Sequence, residues 1–159
     1  MRHIKLIMIG LLAGLLLAAC GTPAAEQATG AGTTQVMTVY KSPTCGCCTD
    51  WVSYVEEHGY TVTVEEVPNI APIKAEHKVP TSMQSCHTAI LDGYVIEGHV
   101  PVADIERLLA ERPDVVGIAV PGMPLGSPGM EVDGVDPQPF DVVTFDAAGT
   151  TEVFSSYHQ

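Results

Sequence analysis

Cys45-Gly46-Cys47-Cys48 places three thiols within four consecutive positions. The thiolate is both the nucleophile and the metal-ligating form of cysteine, so two chemistries are open to such a string. Cys45 and Cys48 by themselves have the C-x-x-C spacing of a redox dithiol. A dithiol switch needs only two sulfurs, and Cys47 between them is a liability for clean cycling. Three thiolates joined by Cys86 instead suit a soft ion such as Cu(I), or zinc. With Cys20 set aside, the four remaining cysteines would ordinarily mean two structural disulfides in an exported chain. Here that expectation fits poorly, because disulfides gain most by closing long loops and this cluster closes almost none.

Cys86 stands in Ser82-Met83-Gln84-Ser85-Cys86-His87-Thr88. Alternation along a strand puts Cys86, Thr88 and Ile90 on one face and His87 on the other. Cys86 is therefore favoured as the ligand, and His87 joins it only where the strand is irregular. A buried structural thiol is the competing role. Met123 lies in the Pro- and Gly-rich segment 121–130, and its uncharged soft sulfur suits Cu(I) and not zinc. Methionine is usually core filler, but a loop of this composition is a poor place for core. Met130 and Met83 are weaker candidates. His99, just ahead of a helix, reads as a cap partner more readily than as a ligand. His58 reads as compensation for a helix dipole, and His77 and His158 as surface residues.

The elements that must position these residues follow from periodicity. Residues 36–41 alternate and are β-rich, which predicts a strand, and Ser42-Pro43-Thr44 breaks it. Trp51, Val52 and Val55 recur at helical spacing after the cysteine turn, with His58-Gly59 as the stop. This places Cys45 and Cys48 at a helix start, where free N–H groups and the macrodipole stabilise a thiolate. Residues 60–67 read as a second strand with Tyr60, Val62 and Val64 on one face, and residues 73–77 as a short helical turn. Residues 85–91 and 94–97 read as a hairpin across Asp92-Gly93. Residues 101–112 give a helix with Val102, Ile105, Leu108 and Leu109 on one side, and residues 140–146 and 150–154 a final hairpin. The order predicts an α/β, thioredoxin-like single domain with a C-terminal β-hairpin extension, an analogy of fold that does not settle function.

The chain also carries an address. Arg2 and Lys5 precede an apolar run over residues 6–17, and Leu17-Ala18-Ala19-Cys20 closes it, as a secretory leader requires. The closing string resembles a bacterial lipobox, which makes residues 1–19 a signal peptide and Cys20 the lipidated mature N-terminus. Residues 20–35 read as the lipidated cysteine and a flexible tether, and residues 36–159 as one metal-binding domain. The expected setting is membrane-anchored, facing the periplasm or the outer cell surface. Without Arg2 and Lys5, five basic residues face nineteen acidic ones, a net charge of −14 with histidine neutral. Such acidity argues against nucleic acid and against a direct grip on anionic lipid, leaving the lipid anchor as the only membrane contact.

Several separated strings resemble the CopG-type metal-binding family: Val39-Tyr40-Lys41-Ser42-Pro43-Thr44-Cys45-Gly46-Cys47-Cys48, Cys86-His87-Thr88-Ala89, Gly93-Tyr94, Glu97-Gly98-His99-Val100-Pro101 and residues 117–130. The resemblance implies a thioredoxin-like periplasmic protein of copper handling, with a copper–thiolate site built from Cys45, Cys47, Cys48 and Cys86. It also implies copper-transport or copper-resistance proteins as partners, and redox chemistry on copper. Membrane tethering departs from that pattern. Two other classes compete: a thiol–disulfide oxidoreductase using Cys45 and Cys48, and a non-catalytic lipoprotein with structural disulfides. The third cysteine and the resemblance favour copper, Cu(I) before zinc.

Overall fold

The structure, a computed structural model, describes residues 36–159. The leader, Cys20 and the tether lie outside the described residues. Among the described residues no helix is long and apolar enough to cross a membrane.

The chain builds an α/β domain on one seven-stranded sheet in the order β2-β1-β3-β4-β5-β6-β7. Strand β1 (Val36–Lys41) leads through the cysteine turn into α1 (Gly46–Glu57), and β2 (Thr61–Glu66) returns parallel to β1. A short α2 (Ala71–Glu76) and a 3-10 turn (Thr81–Met83) precede the hairpin of β3 (Thr88–Leu91) and β4 (Tyr94–Glu97). β3 pairs antiparallel with both β1 and β4, which brings its leading end beside the cysteine turn. Then come α3 (Val102–Glu111), β5 (Gly117–Ala119), β6 (Phe140–Phe145) and β7 (Thr151–Tyr157).

The larger core cluster unites Trp51, Val52 and Val55 of α1 and Ile105 and Leu108 of α3 with Met37, Val39, Leu91, Ile96 and Ile118 of the sheet. Val95, Ala119 and Phe145 form a smaller cluster with Val79. Tyr94 and Ile96 thus serve one cluster and Val95 the other, as the two-residue period of a strand demands. The predicted C-terminal hairpin is present and clamps onto α3. Buried Asp104 accepts hydrogen bonds from Ser155 and from Tyr157 at 2.6 Å, and Arg107 lies 3.9 Å over the Phe154 ring.

Two expectations change. The first strand of the central hairpin was expected from residue 85, but β3 begins at Thr88, leaving Ser85, Cys86 and His87 irregular. β2 forms as a sheet edge in which only Val62 is half-buried, so Val64 is exposed.

Candidate metal centre

The cysteine turn is closed by the Cys45 N–H donating to Ser42 O at 3.1 Å. Cys45 is the N-cap of α1 with extended backbone, Gly46 starts the helix, and Cys48 points into the core with no exposure. Cys45 and Cys48 are joined as a disulfide, while Cys47 and Cys86 are free. Cys47 Sγ sits 3.6 Å from Cys45 Sγ. Each offering one sulfur, Cys45, Cys47, Cys48 and Cys86 fall within 4.8 Å of one another. The four cysteines singled out in the sequence are therefore brought together from two distant segments.

Met123 is not drawn in to the same degree. It is 54% exposed, on a loop whose start is tied to the Cys86 segment. Gly122 N–H donates to Gln84 O at 3.3 Å, and the Ser85 hydroxyl donates to Gly122 O. Met83 packs against the smaller core cluster, which makes it structural.

The irregular start of β3 overturns the expectation that Cys86 and His87 face apart. Without strand alternation, the Cys86 sulfur reaches both buried histidines: His87 Nδ1 at 3.4 Å and His99 Nε2 at 2.9 Å. His99 is thus more than a cap partner, and only its place in Glu97-Gly98-His99 hinted at this. His99 Nδ1–H donates to Pro128 O at 2.8 Å, fixing the ring to the 121–130 loop. The same loop closes over α1 at Gly129. Its φ is +78°, and a side chain there would come within 2.7 Å of the Trp51 backbone nitrogen, so only glycine allows this approach.

Below the site lies a buried polar network that the sequence did not announce. Lys74, from α2, donates to Glu97 and to the Thr88 hydroxyl at 3.0 Å, with both ends of the ion pair shielded from solvent. Glu97 also accepts from Thr88 at 2.7 Å and from the Ser85 backbone N–H at 2.7 Å. The Glu97 carboxylate thereby fixes the backbone next to Cys86. Gly98 at φ +73° lets this strand end pass Ser85, where any Cβ would lie 2.4 Å from Ser85 Oγ.

Electrostatics favour neutral groups. Burial lowers His99, and burial, followed by the neighbouring His99 and Lys74, holds His87 well below the ordinary histidine range. Burial, reinforced by Cys47, pushes the Cys86 thiol up to about 12. Cys86 is therefore a thiol at neutral pH until a cation displaces its proton. Its alkylation rate, followed by peptide mass spectrometry, should still climb above pH 10, where an ordinary thiol with a pKa near 8.5 has levelled off. In Cys47→Ser the curve should move to lower pH. A plateau at the ordinary value would contradict the burial argument.

The segment that carries Cys86 and His99 lies within a stretch that matches a known family. Residues 83–130 match a family model described as a protein of unknown function, DUF411. No curated protein matches the chain. Two solved structures, forms 2 and 1 of a copper resistance protein, CopG, are each 44% identical to it. They superpose with TM-scores of 0.73 and 0.72, cover 77% of this chain, and have 98% and 96% of their own lengths matched. At that identity and coverage, the chain belongs to the family of CopG-type copper resistance proteins.

Proposed function

We propose that this protein binds copper, held as Cu(I) by Cys45, Cys47, Cys48 and Cys86, in an exported domain tethered to a membrane through a lipid on Cys20. The observation that carries the reading is the convergence of the four sulfurs within 4.8 Å. Soft thiolates are the donors that select Cu(I). The name of the solved relatives, copper resistance protein, points the same way. Occupancy by all four sulfurs requires reduction of the Cys45–Cys48 disulfide, with two electrons and two protons taken from a thiol reductant. Met123 is proposed as an additional soft donor from the loop that Gln84 and Ser85 anchor. The site has the setting of a thioredoxin-like core, supported by the β2-β1-β3-β4 order with its parallel and antiparallel pairs. Export, the lipid anchor and copper-resistance partners rest on the leader and lipobox strings and on the family resemblance.

The reduced chain, titrated anaerobically with Cu(I) against a competing chromogenic chelator, should take up the metal. Cys47→Ser should lose at least tenfold in affinity, about 1.4 kcal/mol. Loss of the competition by the native chain, or equal binding by the variant, would remove the copper reading.

One observation favours a second reading. A closed Cys45–Cys48 disulfide at the start of α1 is the oxidised form of a C-x-x-C oxidoreductase. That activity would survive metal removal and ignore Cys47→Ser in insulin reduction.

A further inference from the structure

Of the five basic residues among the described ones, only Lys41 and Lys74 are buried. Lys74 is paired with Glu97, itself fully shielded, so the two charges cancel inside the protein. Lys41 has no such partner. Its side chain is 5% exposed, but the carboxylate 3.3 Å away belongs to Glu66, on the edge strand β2, and is 54% exposed. Water screens a carboxylate so placed, which leaves much of the ammonium's charge uncompensated in poorly solvated surroundings. A buried charge of this kind is costly and calls for a reason. The remaining hydrogen bond supplies one. Lys41 Nζ donates to Ser42 O at 3.2 Å, the same oxygen that accepts the Cys45 N–H at 3.1 Å and closes the cysteine turn. The Lys41 carbonyl is pinned in turn by the Val67 N–H at 2.9 Å. The ammonium is therefore fixed from β1 and β2 against the backbone that carries Cys45.

We propose that Lys41 is a positioning residue of the thiol cluster, holding the Ser42 carbonyl and setting a positive charge beside the sulfur-bound ion, with exposed Glu66 tempering that charge. This role deepens the copper reading and rests on it. Four thiolates around one Cu(I) leave a surplus of negative charge, in a domain that is already strongly acidic. Gathering them costs least where a cation is already fixed close by, and poor hydration makes that attraction stronger than at the surface. The other basic residues do not supply it. Lys74 is neutralised by Glu97, Lys78 is exposed, Arg107 pairs with Glu111 and Arg112 with Asp92. Two opposite signs follow. Removing the ammonium weakens metal–thiolate binding, whereas removing the Glu66 charge strengthens it. A lysine that only shaped the turn would give no gain on losing Glu66, because that carboxylate steadies the ammonium.

The test is the anaerobic Cu(I) competition on the reduced full chain, at fixed pH and ionic strength. Lys41→Met should lose roughly tenfold in affinity, and Glu66→Gln should gain about two- to threefold. Lys78→Met removes a charge of the same sign from an exposed position and should bind as the native chain does. Native affinity in a folded Lys41→Met, or no gain in Glu66→Gln, would overturn the proposal while Cu(I) uptake by the native chain keeps the copper reading intact. If Lys41→Met does not fold, Glu66→Gln decides alone: a gain supports the role of Lys41, and unchanged or weaker binding overturns it. If the native chain takes up no Cu(I), both readings fall together.

Discussion

Lys74→Met should destabilise the domain by about 3–5 kcal/mol, because it strands the Glu97 carboxylate in the protein interior. Lys74 and Glu97 are both shielded from solvent, so neither charge has water to fall back on. Removing one partner of such a pair is far costlier than removing both. Lys74→Met combined with Glu97→Gln should accordingly recover much of the loss, since the Ser85 N–H and the Thr88 hydroxyl keep an oxygen to meet. Urea unfolding at fixed disulfide state reads both values. The defect should also depend on pH. Burial already pushes the Glu97 carboxyl up, and the Lys74 ammonium is the first influence opposing it. Without Lys74 the folded-state pKa climbs further above the unfolded one. Between those two values the folded chain holds the extra proton, so stability falls as pH rises through the window. The deficit of the variant should therefore shrink toward acid pH. A loss under about 1 kcal/mol, or one that grows on acidification, would mean that the pair is not buried as described.

Trp51→Ala should cost a similar 3–5 kcal/mol, the usual range for deleting a fully buried large aromatic. The indole does three things at once. It fills the core between α1 and the sheet, its Nε1–H donates to Val100 O at 3.0 Å, and its ring lies 4.4 Å from that of His87. Trp51→Phe separates these contributions, keeping much of the volume while leaving the Val100 carbonyl unpaired. It should cost about 1–3 kcal/mol. As Trp51 is the chain's one tryptophan, unfolding must be followed by far-UV circular dichroism. The milder variant should keep its Cu(I) affinity, since the four proposed sulfur donors do not include the His87 ring on which Trp51 packs. A marked loss of affinity in Trp51→Phe would show that the indole also holds the site in place.

The residues explain what could be anticipated. β1, the boundaries of α1 and α3, and the turn at Asp92-Gly93 were legible because strong local signals coincide there, with Asp92 and Gly93 both at positive φ. The sulfur cluster was legible because the spacing of Cys45, Cys47 and Cys48 is itself anomalous. β5 was missed: three residues carry no measurable period, and Gly117–Ala119 is strand only because β4 and β6 flank it. The Lys74–Glu97 pair carries no sequence signal, since nothing local to Lys74 reports a carboxylate 23 positions away. Strand alternation applied from Ser85, three residues before β3 begins at Thr88, turns His87 away from Cys86. His99 reaches Cys86 by crossing β4 and a positive-φ glycine, geometry that only the tertiary structure supplies.

The ligand-bearing segments also imply an order of assembly. The closing of Cys45 with Cys48 spans a separation of three residues and asks nothing of the rest of the chain. Cys86 reaches the same place only once β3 has zipped antiparallel onto β1, and His99 is oriented only after the Pro128 carbonyl has folded back over it. Loop-closure entropy makes such distant pairings late events in folding. A chain that has not yet folded thus presents a local trio of sulfurs first, open to oxidation or to any thiophilic ion. The complete donor set exists only in the finished fold, so folding itself acts as the gate that decides which ion is kept.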